Sequence, residues 1–180
     1  MTWLLAVTIG FFSLSALSWE TPAARPIAES QIIKTPSEIL IGVKQYKIMD
    51  TEYIGLYGAR HKNFLTENLY WGEFGYGALS GKRSGYLEGG LMMGTHLPVF
   101  FGYFEPECLI FFGAGGGGSA PQGGGLLVNP VFAVSMPINE RFEIGAEVGY
   151  IHFINGDISS ITFGVSGTLN FLELGVRHEN

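Results

Sequence analysis

The 180-residue sequence carries a net charge of −6 and one cysteine. This excludes an internal disulfide and argues against a nucleic-acid binder, whose affinity comes from neutralising phosphates with lysine and arginine. Its 27 glycines, 14 phenylalanines and 8 tyrosines, with only 14% charged residues, exclude a helical protein, because glycine weakens helices while aromatic side chains favour pleated surfaces.

From the amino end, Trp3 to Leu17 is almost wholly apolar and closes on Ala16-Leu17-Ser18, which reads as a secretory signal peptide over residues 1–18, cleaved after Ser18 or as late as Ala24. The run is shorter than the roughly 20 residues a transmembrane helix needs. Elsewhere no stretch reaches 18 uninterrupted apolar residues, so a helical membrane protein is not indicated. Cys108 is far from the cleavage site and gives no lipoprotein signal. Residues 25–37 are polar and proline-containing, a periplasmic lead-in. What remains, about 160 residues, suffices for one domain.

Turn signals then recur and divide the chain into eight strands, near 38–48, 51–60, 68–79, 84–95, 107–117, 125–136, 141–153 and 159–171, with a tail over 172–180. Eight antiparallel strands of this length predict an all-β fold, an eight-stranded transmembrane β-barrel of an outer membrane over 38–171. Alternation supports it. In the last strand Ile161, Phe163, Val165, Leu169 and Phe171 oppose Ser160, Thr162, Gly164, Ser166, Thr168 and Asn170. In the seventh, Phe142, Ile144, Ala146, Val148 and Tyr150 oppose Glu143, Gly145, Glu147 and Gly149. In the third, Tyr70, Phe74, Tyr76 and Ala78 oppose Trp71, Glu73, Gly75 and Gly77. With the apolar parity toward lipid, Glu73, Glu88, Glu143 and Glu147 share a narrow lumen with Lys44, Asn129 and Arg83 as a polar plug. Tyr53, Tyr57, Tyr70, Trp71, Tyr86, Tyr103 and Tyr150, near strand ends, fit interfacial girdles. The reversed parity gives a different class, a soluble periplasmic barrel holding an apolar ligand among Phe163, Val165 and Tyr150.

The glycine runs at 115–118 and 123–125 lack the lysine and hydroxyl residue of a phosphate loop, and the four histidines lack metal-ligand spacing. No cofactor is indicated.

By parity His152 points outward at the exterior end of the seventh strand, where an imidazole beside lipid headgroups is unusual. The segment Gly145 to Gly156, G-A-E-V-G-Y-I-H-F-I-N-G, resembles the seventh strand of the outer-membrane lipid A 3-O-deacylases, eight-stranded barrels with a catalytic histidine, serine and glutamate on the outer face. Upstream, L-P-V-F-F-G-Y-F-E-P-E-C-L-I-F-F-G-A-G-G-G-G is similar to the same family's P-V-F segment and glycine-rich fifth strand, so the resemblance covers about residues 90–171. It implies that His152 matches the family histidine and Asn155 its asparagine, a lipid-binding position. Ile154 stands where the nucleophilic serine belongs, and no glutamate follows at the family's spacing. A hydroxyl activated by a base, itself oriented by a third group, could be rebuilt only with Ser159 or Ser160 across the hairpin and Asp157 behind the ring.

The expected function is therefore an outer-membrane barrel that is structural or contacts lipopolysaccharide, a degenerate relative of the deacylases. The alternative is an active lipid A esterase with a rearranged site. Its partners are outer-membrane lipids and lipid A, and the oligomeric state is not legible.

Overall fold

A computed structural model of the protein describes residues 31–49, 52–78 and 82–177, with side chains between 35 and 173 of those ranges. The expected leader and the lead-in up to residue 30 lie outside the described residues. Eight strands follow in chain order: β1 (Gln31–Met49), β2 (Glu52–Phe64), β3 (Leu69–Ala78), β4 (Leu87–His96), β5 (Glu105–Gly116), β6 (Leu126–Pro137), β7 (Phe142–Phe153) and β8 (Ser159–Arg177). Each pairs antiparallel with its neighbours, and β8 returns to β1, closing the sheet into a barrel. Closure leaves no free edge, so every ladder can be satisfied within the sheet.

The register fixes the barrel's stagger. From Phe64 on β2 the direct partners run through Tyr70, Gly94, Leu109, Val131, Gly149, Thr162 and Tyr46. They return to β2 at Ile54, ten residues from the start. That offset tilts the strands and sets an interior just wide enough for side chains to fill.

The strands lie close to the expected ranges except at the seam. β1 begins at Gln31 and β8 continues to Arg177, where a lead-in to 37 and a tail from 172 were expected. The two extensions pair with each other, Gln31 with Arg177 through Ser37 with Phe171, so each supplies the hydrogen-bond partners that kept it from being loop.

Turns 65–68, 97–104 and 138–141 share one end with the strand ends at Gln31 and Arg177, the terminal mouth. At the opposite, distal end, loops 117–125 and 154–158 are joined by the Asp157 N–H donating to the Pro121 carbonyl at 3.1 Å. Gly117, Gly118, Gly123 and Gly125 take the positive φ angles this loop requires. Arg83, expected in the lumen, instead braces this end. Its Nε and Nη2 reach Glu52 at 3.0 and 2.9 Å, and its Nη1 donates to the carbonyls of Gly118 and Ser119.

Along β7 and β8 the faces are as the alternation predicts: Ile144, Val148, Tyr150, Ile161, Phe163, Val165 and Leu169 point outward, Glu143, Thr162 and Thr168 inward. On β3 they are reversed. Tyr70, Phe74 and Tyr76 are buried inside, while Trp71 and Glu73 face out. The neighbouring strand explains this: β2 carries Arg60 and Lys62 on one parity, both must be sheltered with counter-charges, and the register puts Phe74 opposite Arg60. Tyr70 and Tyr86 are accordingly lumen residues and not girdle residues.

Candidate functional site

The lumen is built in layers. Nearest the terminal mouth, Lys62 Nζ lies 3.0 Å from Glu38 and 2.7 Å from Glu107, whose Oε2 also accepts from the Tyr70 hydroxyl at 2.8 Å. Above it Arg60 Nη2 meets Glu147 at 2.6 Å, with the guanidinium 5.5 Å from the Phe111 ring centre. Next, Lys44 pairs with Glu88 and stands 4.4 Å from the Tyr76 ring centre. The Tyr46 hydroxyl is 2.9 Å from both Glu88 and the Tyr86 hydroxyl. Toward the distal mouth Ile48, Ile54, Leu127, Ile151, Phe153 and Ile158 are buried together. Polar layers capped by an apolar one make a packed core.

Room for those aromatic rings comes from glycine. A Cβ on Gly94 would run into the Tyr70 hydroxyl, and one on Gly115 into the Tyr86 hydroxyl. Of the expected plug residues, Glu88, Glu143, Glu147 and Lys44 point into this interior, Glu143 accepting from Asn170 Nδ2 at 2.6 Å. Glu73 does not. It faces outward with His61 Nδ1 3.0 Å from its Oε1, because β3 takes the opposite parity. At the terminal mouth a vestibule of about 740 Å3 is lined by Glu38, Glu67, Glu105, Glu140, Glu143 and His96.

The outer wall carries the second candidate. His152 and Ser159 are direct partners across the β7–β8 hairpin, both exposed, with His152 Nδ1 2.7 Å from Ser159 Oγ. One hydroxyl and one base are thus brought together at the distal rim of the apolar wall. Ser160 has the opposite parity, pairs with Ile151 and accepts the Lys47 N–H at 3.0 Å, so it is not part of this pair. Asp157 is turned to Pro121 through its N–H, and no hydrogen bond or ion pair links its carboxylate to His152. Asn155 occupies the exposed turn at φ 63°, a conformation asparagine tolerates better than most residues. Ile154, at the position of the family serine, donates its N–H to the Leu126 carbonyl.

The polarity of the two faces decides between the classes of barrel. Phe163, Val165 and Tyr150, which an internal apolar ligand would need as a lining, are 52%, 58% and 49% exposed on the outside, while the inside holds ion pairs. A soluble carrier of an apolar ligand is overturned by that arrangement. In fold the molecule matches solved membrane barrels. The N-terminal β-barrel domain of Pseudomonas aeruginosa OprF superposes with a TM-score of 0.59 at 15% identity, over 79% of this chain and 100% of that one. The fold is that of the outer-membrane barrels. Two de novo designed transmembrane barrels match as well. One is TMB2.3, with a TM-score of 0.51 at 10% identity, over 76% of this chain and 95% of that one. The other has a TM-score of 0.50 at 9% identity, over 77% and 95%. No protein-family model and no curated protein matches the chain. At these identities the likeness speaks for the barrel alone, and the chemistry rests on the residues.

Several of this barrel's interior residues were not singled out from sequence. Arg60 closes the expected second strand and Lys62 falls beyond it, yet the two cations share one parity of a strand that runs on to Phe64. Their spacing of two residues was the available signal. Glu38 and Glu107 fall at the boundaries of the expected strands, and nothing local marks them as counter-ions.

Proposed function

We propose that the chain is an integral protein of a bacterial outer membrane, working at its lipid-facing wall and distal rim, where it contacts lipopolysaccharide. The observation that carries this reading is the inverted polarity: an apolar exterior around an ion-paired interior suits a barrel bathed in lipid and is costly for one bathed in water. The lumen serves as a structural core, since each of its cations, Lys44, Arg60 and Lys62, is paired with a carboxylate and the distal end is capped by apolar side chains. The resemblance through His152 and Asn155 makes lipid A the headgroup of choice, and the missing family serine and glutamate make this a degenerate relative of the deacylases. The test is extraction and migration. The protein should stay with outer membranes through alkaline carbonate washing and migrate differently in detergent gels before and after boiling. Release by carbonate would overturn the reading.

A second reading is favoured by the 2.7 Å contact of His152 with Ser159, which supplies the hydroxyl that Ile154 cannot. In it Ser159 Oγ attacks an ester carbonyl of lipid A while His152 takes its proton. The leaving alcohol receives that proton, and water then releases the acyl group. Mass spectrometry of lipid A separates the two readings. Loss of one acyl chain with the unmodified protein, but not with His152→Ala or Ser159→Ala, establishes hydrolysis. Identical spectra for all three, each confirmed in the membrane, leave a lipid-contacting barrel.

A further inference from the structure

Between β4 and β5 the chain reads L-P-V-F-F-G-Y-F from Leu97 to Phe104, with the Tyr103 hydroxyl its only polar side-chain group. Val99, Phe100, Phe101 and Tyr103 stand in the open, Phe101 76% and Tyr103 70% exposed, so the loop is no part of the packed interior. The other two turns of the terminal mouth are polar at their tips, with Glu67 and Asn68 in one and Asn139, Glu140 and Arg141 in the other. An apolar patch confined to one loop marks a surface that meets something other than water.

The loop is built to hold its rings outward. Phe100 and Phe104 exchange backbone hydrogen bonds at 2.8 and 3.0 Å, and the Tyr103 N–H donates to the Phe100 carbonyl at 3.3 Å, closing a tight turn on Phe101 and Gly102. Both central residues take positive φ, 51° and 72°. Asparagine or glycine fits the first of these positions readily, whereas a bulky side chain there is strained. Strain kept at an exposed tip points to the ring itself as the part in use. The base of the loop gives the direction. Leu97 and Phe104 continue the outward parity of Met93 on β4 and of Cys108 and Phe112 on β5. Phe104 borders a hollow of about 730 Å3 on the outer wall with Val134, Met136 and Ile144, whereas the lining of the vestibule passes from His96 to Glu105 and omits the loop. The patch is therefore continuous with the lipid-facing wall and separate from the lumen. A loop without charge, self-paired at its tip and rich in phenylalanine and tyrosine, suits the boundary between headgroups and acyl chains. The polar rim of a protein partner would find a single side-chain hydroxyl there to bond.

We propose that Leu97–Phe104 is an interfacial anchor, with Phe100, Phe101 and Tyr103 seated among the phospholipids of the leaflet at the terminal mouth. The inference rests on the membrane reading above and adds a second attachment at the end opposite the distal rim. In a Cys108→Ser background, Phe101→Cys, Tyr103→Cys and, as reference, Glu67→Cys are each labelled with an environment-sensitive fluorophore. Each is folded into vesicles of phosphatidylethanolamine and phosphatidylglycerol, with iodide present on both sides of the membrane. At both loop positions emission should move to shorter wavelength and iodide quenching should fall several-fold relative to Glu67→Cys. Nitroxide lipids should quench there, more when the nitroxide sits high on the acyl chain than at its end. Boiling-dependent migration confirms folding, and the second loop position keeps the test standing if one variant fails. Carbonate-resistant protein whose loop positions are quenched by iodide as strongly as Glu67→Cys overturns the anchor and leaves the membrane reading standing. So does protection that vanishes as the lipid-to-protein ratio rises, the mark of a second copy, or that occurs in native outer membranes and not in the vesicles, the mark of another protein. Release by carbonate overturns both.

Discussion

Arg60 and Glu147, 87 residues apart in sequence, reach across the lumen from β2 and β7 and meet at 2.6 Å with both side chains nearly excluded from solvent. Removing one partner strands the other charge, which costs about 3–5 kcal/mol, whereas replacing both by apolar side chains of similar size is close to neutral. Arg60→Ala is therefore expected to lower the urea midpoint of the detergent-folded barrel sharply, and Arg60→Met/Glu147→Leu to recover most of it. Equal loss in the single and double variants would mean that the pair itself holds the barrel together.

Gly94 reports on how tightly the interior is filled. A methyl group there collides with the Tyr70 hydroxyl, so Gly94→Ala should destabilise by about 1–3 kcal/mol. Tyr70→Phe removes the colliding oxygen together with its bond to Glu107. In the Gly94→Ala background it should therefore cost less than it does alone. A double-mutant cycle in the same urea assay measures that coupling, and strict additivity would contradict the contact.

Arg83 ties three segments of the distal end, through Glu52 and the carbonyls of Gly118 and Ser119. Arg83→Ala should leave boiling-dependent migration unchanged while speeding protease cleavage within 117–125. If cleavage stays as slow as in the unmodified protein, the brace has no role in holding the loops.

His152 and Ser159 are both exposed, and their side chains are hydrogen-bonded to each other. Their alanine variants should change the stability of the barrel by no more than about 0.5 kcal/mol. A larger shift in the urea midpoint would reassign the pair to structure and remove it as a candidate for chemistry.

The wall of the barrel was legible where alternation is clean. β7 and β8 alternate large apolar residues with glycine, serine, threonine and glutamate, and that contrast fixes the faces without knowledge of the neighbours. β3 was misread because aromatic residues occupy its inner face. What admits them is space left on other strands by Gly94 beside Tyr70, Gly113 beside Phe74 and Gly58 beside Tyr76, a property of the register that no single strand displays. The same step sends Glu73 outward. The approach of Ser159 to His152 was readable from hairpin spacing, but the choice between Ser159 and Ser160 needed the strand's parity. Asp157 failed as the third group because its turn is held to Pro121 of another loop, a contact distant in sequence.

The seam between β1 and β8 joins the first strand made to the last, with paired residues from Gln31 and Arg177 to Tyr46 and Thr162. Until β8 has emerged, β1 has a partner on one side only, and an unpaired edge is a template for any other strand. Pairings this distant also close slowly, because the chain between them must be ordered first. Biogenesis of this protein thus contains an interval in which an incomplete sheet must be shielded from its neighbours, and the long overlap at the seam makes its ending hard to reverse.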